Sequence, residues 1–186
     1  MSRIPSLTRA DLDDDQRELY DEIVGGPRGR RAGARLVAPD GSLRGPFNAL
    51  LLSPVVGSPF QRIGAALRFE TELSADLREL AILLVAAEWS CEFEWSAHAP
   101  LARDAGLDEH TIDTLADGGV PQYDSELRGL VDRAAREVFT ERTITSATYR
   151  DLEDGLGRRS TFELLAIIGY YSMLALVLNG FDVRFD

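Results

Sequence analysis

"LRELAILLVAAEWSCEFEWSAHAPLARDAGL" (residues 77–107) sets the fold class. Its first part, Leu80 to Ala87, is apolar on every side, and its second part carries apolar residues at helical spacing. Ser74, just upstream, can cap the first helix, with Asp76 in the first turn where the dipole favours an acid. Ser90 can cap the second helix, and Gly106 suits its C-terminal stop. Pro100 inside that helix predicts a kink or a boundary.

Helical periods also govern the flanks. "DDDQRELYDEIV" (13–24) reads as an amphipathic helix. Residues 25–46, "GGPRGRRAGARLVAPDGSLRGP", read as a long Gly/Arg-rich loop. Pro46 can open "PFNALLLS", because its missing N–H would be unpaired there anyway, and Pro54 separates that helix from "FQRIGAALRFETEL" (60–73). Asp108 caps a short helix, and "DSELRGLVDRAAREVFTE" (124–141) is a long amphipathic one. Ser160 and Glu163 have capping-box spacing at the start of a last, apolar helix. The expectation is an all-α bundle of seven or eight helices. It forms one structural domain, in which residues 1–45 supply an N-terminal helix and loop and residues 46–186 the helical domain. Two helices that are apolar all round imply a thick core or a subunit interface, so a homo-oligomer is expected.

Composition narrows the function. The chain has 20 basic and 31 acidic residues, a net charge of −11, which disfavours nucleic acid and anionic lipid as partners. Cys91 is the only cysteine, so no intrachain disulfide can form and a reducing compartment is expected. "LLAIIGYYSMLALVLNGF" (164–181) is uncharged, but Gly169, Ser172 and Asn179 interrupt it. A buried helix is expected there, with no membrane span.

If residues 91–105 are helical, Cys91, Glu94 and His98 fall within about 60° of one another, on a face shared with Leu101 and Ala105. One helix earlier, Glu79 lies on a face with Ile82, Leu83 and Ala86. An inward carboxylate must be paired, protonated or next to a cavity, and pairing Glu79 with His98 across the two helices would satisfy both. Such groups can transfer protons: His98 lies closest to neutrality, and Glu94 can orient it or act as acid or base itself. Cys91, near a helix start, is a candidate thiolate, although a lone cysteine is more often a small buried hydrophobe. A surface ion pair of Glu94 with His98 is the plain alternative. No metal or cofactor is expected, since ligands at i, i+3 and i+7 rarely converge on one ion and no phosphate- or dinucleotide-binding fingerprint occurs.

"GPFNALLLSP" (45–54), the 77–107 stretch and, more loosely, "IGYYSMLALVLNGFDV" (168–183) resemble the carboxymuconolactone decarboxylase family, which groups with the alkylhydroperoxidase D-like proteins. The resemblance implies an all-helical fold, assembly as a homotrimer, homohexamer or dimer, an active site near subunit contacts, a small-molecule substrate and a cytoplasmic setting. The family's peroxidase branch pairs a glutamate and a histidine with Cys-x-x-Cys. Glu79, Cys91 and His98 match three of those positions, and Glu94 stands where the second cysteine would be. A dithiol cycle ends in an internal disulfide, which this chain cannot form. A one-cysteine cycle would need an outside thiol. The resemblance therefore favours the decarboxylase-like branch, in which Glu94 and His98 take the acid/base roles, Glu79 orients His98, and Arg62, Arg68 or Arg78 anchors the substrate. One-cysteine peroxidase chemistry through Cys91 and a non-catalytic oligomeric binding protein are the alternatives.

Overall fold

The computed structural model describes residues 2–32 and 36–185; residues 33–35 of the Gly/Arg-rich stretch lie outside them. The described residues form nine helical elements and no strand beyond an isolated bridge between Val37 and Leu43. The contacts sort into two compact units, residues 1–70 with 177–186, and residues 71–176.

The first unit holds α1 (Asp14–Gly25), α2 (Pro27–Ala32), α3 (Pro46–Leu50) and α4 (Pro54–Phe69). Asp13 and Gln16 build a full capping box at the start of α1, which buries Leu19, Tyr20 and Ile23. The expected loop contains α2, which is why the count exceeds the seven or eight read from sequence. Pro54 opens α4 rather than merely preceding it, and Pro59 lies within the helix. Gly57 lets α4 pass the end of α3, since a Cβ there would lie 2.3 Å from the Leu50 carbonyl oxygen.

The second unit holds α5 (Ala75–Glu88), α6 (Glu92–Asp104), α7 (Glu109–Ala116), α8 (Glu126–Glu141) and most of α9 (Ser146–Gly180). Helix α5 is its axis: every residue from Glu79 to Ala86 is buried, and α6, α7 and α8 all pack on it. That explains the absence of a polar face between Leu80 and Ala87. Helix α6 runs on through Pro100, so the predicted boundary there is absent. Asp108 caps α7 by accepting from the Thr111 N–H.

Two sequence readings of helix ends are corrected. Ser90 does not cap α6. It sits past the end of α5 in the left-handed region (φ 47°), with the Ser90 N–H on Ala87 and the Cys91 N–H on Ala86. These two bonds make the helix stop that glycine normally serves, as Gly106 does after α6. The N-cap of α6 is Cys91 itself. Nor do Ser160 and Glu163 begin the last helix. Helix α9 starts at Ser146 and is broken at Gly157 (φ 78°), while Glu163 accepts from the N–H groups of Glu72 and Leu73. Helix α9 contains the apolar run, whose mean hydropathy of 1.8 and length would suffice to cross a membrane; 56% of that window is buried in the protein.

Candidate active site

The two packed helices α5 and α6 bring three charged side chains together in the second unit. Glu79 points from α5, Glu94 and His98 from one face of α6, and each residue is only 3% exposed. His98 Nδ1 lies 2.6 Å from Glu79 Oε2, and His98 Nε2 lies 3.3 Å from Glu94 Oε2. An ionised carboxylate can only accept, so the short contact to Glu79 fixes a proton on Nδ1. The imidazole is thus held between two acids by both ring nitrogens. A surface Glu94–His98 pair is excluded by the burial of both partners.

Burial alone pushes His98 toward its neutral form. The hydrogen bonds and charges of Glu79 and Glu94 outweigh that effect, so its pKa lies above the ordinary histidine value. Two buried carboxylates beside one imidazolium would leave an excess negative charge. Arg78 offsets it, with Nε 3.4 Å from Glu79 Oε1 and its side chain 18% exposed. Of the three arginines weighed as anchors, only Arg78 touches this group. Arg62 is 3.8 Å from Glu22, and Arg68 stacks over Phe69.

Cys91 is 1% exposed at the start of α6. Burial dominates there, the nearby Glu94 charge adds to it, and the backbone N–H groups of Glu94 and Phe93 offset it only in part. The thiol is pushed up to about 11. Position near a helix start therefore does not make Cys91 a thiolate. At neutral pH the protonated thiol is the form that burial favours.

The reading of residues 164–181 as a buried helix holds for Tyr170 and Tyr171, which are both buried. It did not place Tyr171 at the site, where its ring meets that of His98 edge-on at 5.3 Å. Tyr171 in turn packs edge-on against Tyr170 at 5.2 Å, so α9 supplies a rigid aromatic wall behind the imidazole. A tyrosine pair in an apolar helix was the only available signal. His110, Glu88 and Glu92 are exposed.

The sequence model of the Carboxymuconolactone decarboxylase family matches residues 54–138, a span that contains Glu79, Cys91, Glu94 and His98. No curated protein matches the chain in sequence. Among solved structures, an uncharacterized peroxidase-related protein from Ralstonia eutropha JMP134 with an alkylhydroperoxidase AhpD core superposes with a TM-score of 0.76. It is 19% identical, over 100% of this chain and 92% of that one. An uncharacterized peroxidase-related protein from Silicibacter sp. TM1040 gives a TM-score of 0.73 at 16% identity, over 98% and 91%. A cysteine-to-alanine variant of the debrominase Bmp8, in complex with 2,3,4-tribromopyrrole, gives 0.64 at 14% identity, over 100% and 94%. At these identities the likeness is one of fold.

Proposed function

We propose, from the premise that residues 54–138 are a carboxymuconolactone decarboxylase-family segment in an alkylhydroperoxidase D-like fold, that the protein is a cofactor-independent acid/base catalyst. Its substrate is a small cyclic or carbonyl compound, and its reaction a decarboxylation or isomerisation. The observation that carries this reading is the buried Glu79–His98–Glu94 chain beside a thiol that stays protonated.

The chain of groups suggests the division of labour. Glu79 holds the ring through Nδ1 and keeps it charged. Glu94 shares the Nε2 proton and is the group placed to exchange it with a substrate. In a decarboxylation the C–CO₂ bond breaks and its electron pair stays on carbon. A proton from the Glu94–His98 pair then forms the new C–H bond, and solvent restores it. In an isomerisation the same pair removes a proton from one carbon and returns it to another. Because Glu94 and His98 are almost sealed from water, substrate entry requires a local opening of the surrounding side chains.

Replacing His98 with Ala tests the reading: turnover on a panel of lactones and enolisable acids should vanish, while Cys91→Ala keeps most of it. The reverse result would end it. Peroxidase chemistry through Cys91 would need the thiolate that burial suppresses, and hydroperoxide consumption with an added thiol would reveal it. A non-catalytic binding role would show as turnover by none of these proteins. Self-association is part of the proposal. It is supported by an apolar face of α9 that this single chain leaves open, with Phe162 72%, Met173 46% and Leu176 57% exposed.

A further inference from the structure

Helix α4, in the first unit, is apolar on its outer face as well as its inner one. Gly57, Phe60, Gly64, Ala65 and Leu67 face inward and are buried. The opposite side carries Val55, Val56, Pro59 and Ile63, all exposed, and Leu52 is exposed just before the helix. Val55 and Val56 keep 86% and 60% of their surface open. Residues 56, 59 and 63 follow the three- and four-residue steps of one helix face, and Val55 adjoins them. A surface helix ordinarily turns polar residues outward, and a contiguous exposed apolar stripe marks a surface that another molecule covers.

The chemistry beside the stripe indicates what that molecule is. A groove of about 340 Å³ runs between α1 and α4. Its α4 wall includes Pro54 and Val55, and its α1 wall carries Asp15, Glu18 and Glu22 at i, i+3 and i+7. Glu22 is committed to the Ser58 hydroxyl at 2.8 Å and the Gln61 amide at 2.9 Å. Asp15 and Glu18 are exposed and make no hydrogen bond or ion pair among the described residues. Arg62 is the one cation among the described lining residues, and it lies 3.8 Å from Glu22.

We infer that α1 and α4 form a docking surface for an amphipathic helix of another protein, whose apolar stripe covers Val55, Val56 and Ile63 and whose basic edge meets Asp15 and Glu18. Burial of the stripe supplies affinity, and the charged edge sets which way round the partner lies. A second copy of this chain fits less well. It would bring one cation, Arg62, and three more acids to a wall that already holds three, and each chain carries a net charge of −11. The surface uses neither the acid/base chain nor the α9 face, and it does not depend on the function proposed above.

Fluorescence anisotropy on the full chain tests this, with a labelled peptide of leucine and lysine about 18 residues long, or five helical turns, and leucines at i, i+3, i+4 and i+7. Saturable one-to-one binding is expected, weakened at least tenfold in Ile63→Asp, as for a central apolar anchor. The double variant Asp15→Asn, Glu18→Gln should bind about threefold more weakly and show a flatter salt dependence. Two control peptides should each bind at least tenfold more weakly: one with glutamate for lysine, and one of the same residues scrambled so that no stripe forms. Phe162→Asp, on α9, should bind as the wild type does. If Ile63→Asp fails to fold by circular dichroism, Val55→Asp, at the most open position of the stripe, decides in its place. Binding that is absent from the wild type, unchanged in the stripe variant or the acid double variant, equalled by either control peptide, or lost in Phe162→Asp would overturn the assignment. A wild-type oligomer that Ile63→Asp dissolves by light scattering would also overturn it, and would give the face to a second copy.

Discussion

Replacing Glu79 with Gln keeps the size of the side chain and removes one charge from the chain of three. Leaving a buried charge wholly unpaired costs about 3–5 kcal/mol, whereas a neutral hydrogen bond is worth about 1 kcal/mol. His98 can escape the larger penalty by shedding its proton, after which Nδ1–H still donates to the amide oxygen. A loss of about 2 kcal/mol at neutral pH is therefore expected. The pH dependence gives the argument its sign. In the wild type the folded pKa of His98 lies above its unfolded value, since its hydrogen bonds to the two acids outweigh burial. Its stabilising contribution is thus complete below the unfolded pKa and is lost as pH rises through the folded one. The gap in stability between wild type and Glu79→Gln should accordingly narrow as pH climbs through that range. Urea unfolding at a series of pH values measures the gap. Proton NMR of the histidine rings measures the titration itself, and it is simple because the chain has two histidines. In the wild type His98 should titrate above the ordinary histidine value, and in Glu79→Gln its midpoint should fall. A wild-type His98 midpoint at or below the ordinary histidine value, unmoved by the substitution, would refute the reasoning.

Ser90→Gly should stabilise the protein by about 1 kcal/mol, because a residue with a Cβ is held there at φ 47°; the melting temperature should rise by about 2–4 °C. Cys91 should resist iodoacetamide at pH 7.5 in the folded protein, with alkylation rising only as pH nears about 11; rapid labelling at neutral pH would contradict the burial argument. Phe162→Asp, at a site 72% exposed in the single chain, should leave the fold intact by circular dichroism but reduce the mass measured by light scattering to that of one chain. An unchanged larger mass would place the interface elsewhere, and a wild type that is already monomeric would remove the self-association proposal.

Much of the second unit was legible because its signals are local or periodic. The unbroken apolar run from Leu80 to Ala87 specified a buried axis, and Gly106 and Asp108 marked the turn between α6 and α7. The Glu79–His98 bond was foreseeable because an inward acid on one helix and an inward imidazole on the next have few other partners. What the sequence hid depends on contacts between distant residues. Ser90 looks like a cap because serine so often is one, and only the backbone shows it in the position glycine usually takes. Glu163 has capping-box spacing, yet its partners, the Glu72 and Leu73 N–H groups, lie some 90 residues away. The same holds for Cys91, whose helix-start position suggested a reactive thiol until its burial was known. Nor does spacing alone tell which of Arg62, Arg68 and Arg78 lies beside Glu79, as Arg78 does.

Deuterium incorporation offers the most direct test of the acid/base assignment. Small lactones and enolisable acids would be incubated with the protein in D₂O and their C–H positions followed by NMR. The wild type and Cys91→Ala should place deuterium on carbon in at least one of them, and His98→Ala and Glu94→Gln should not. Deuterium uptake undiminished in His98→Ala, or activity found only as hydroperoxide consumption that disappears with Cys91, would contradict it.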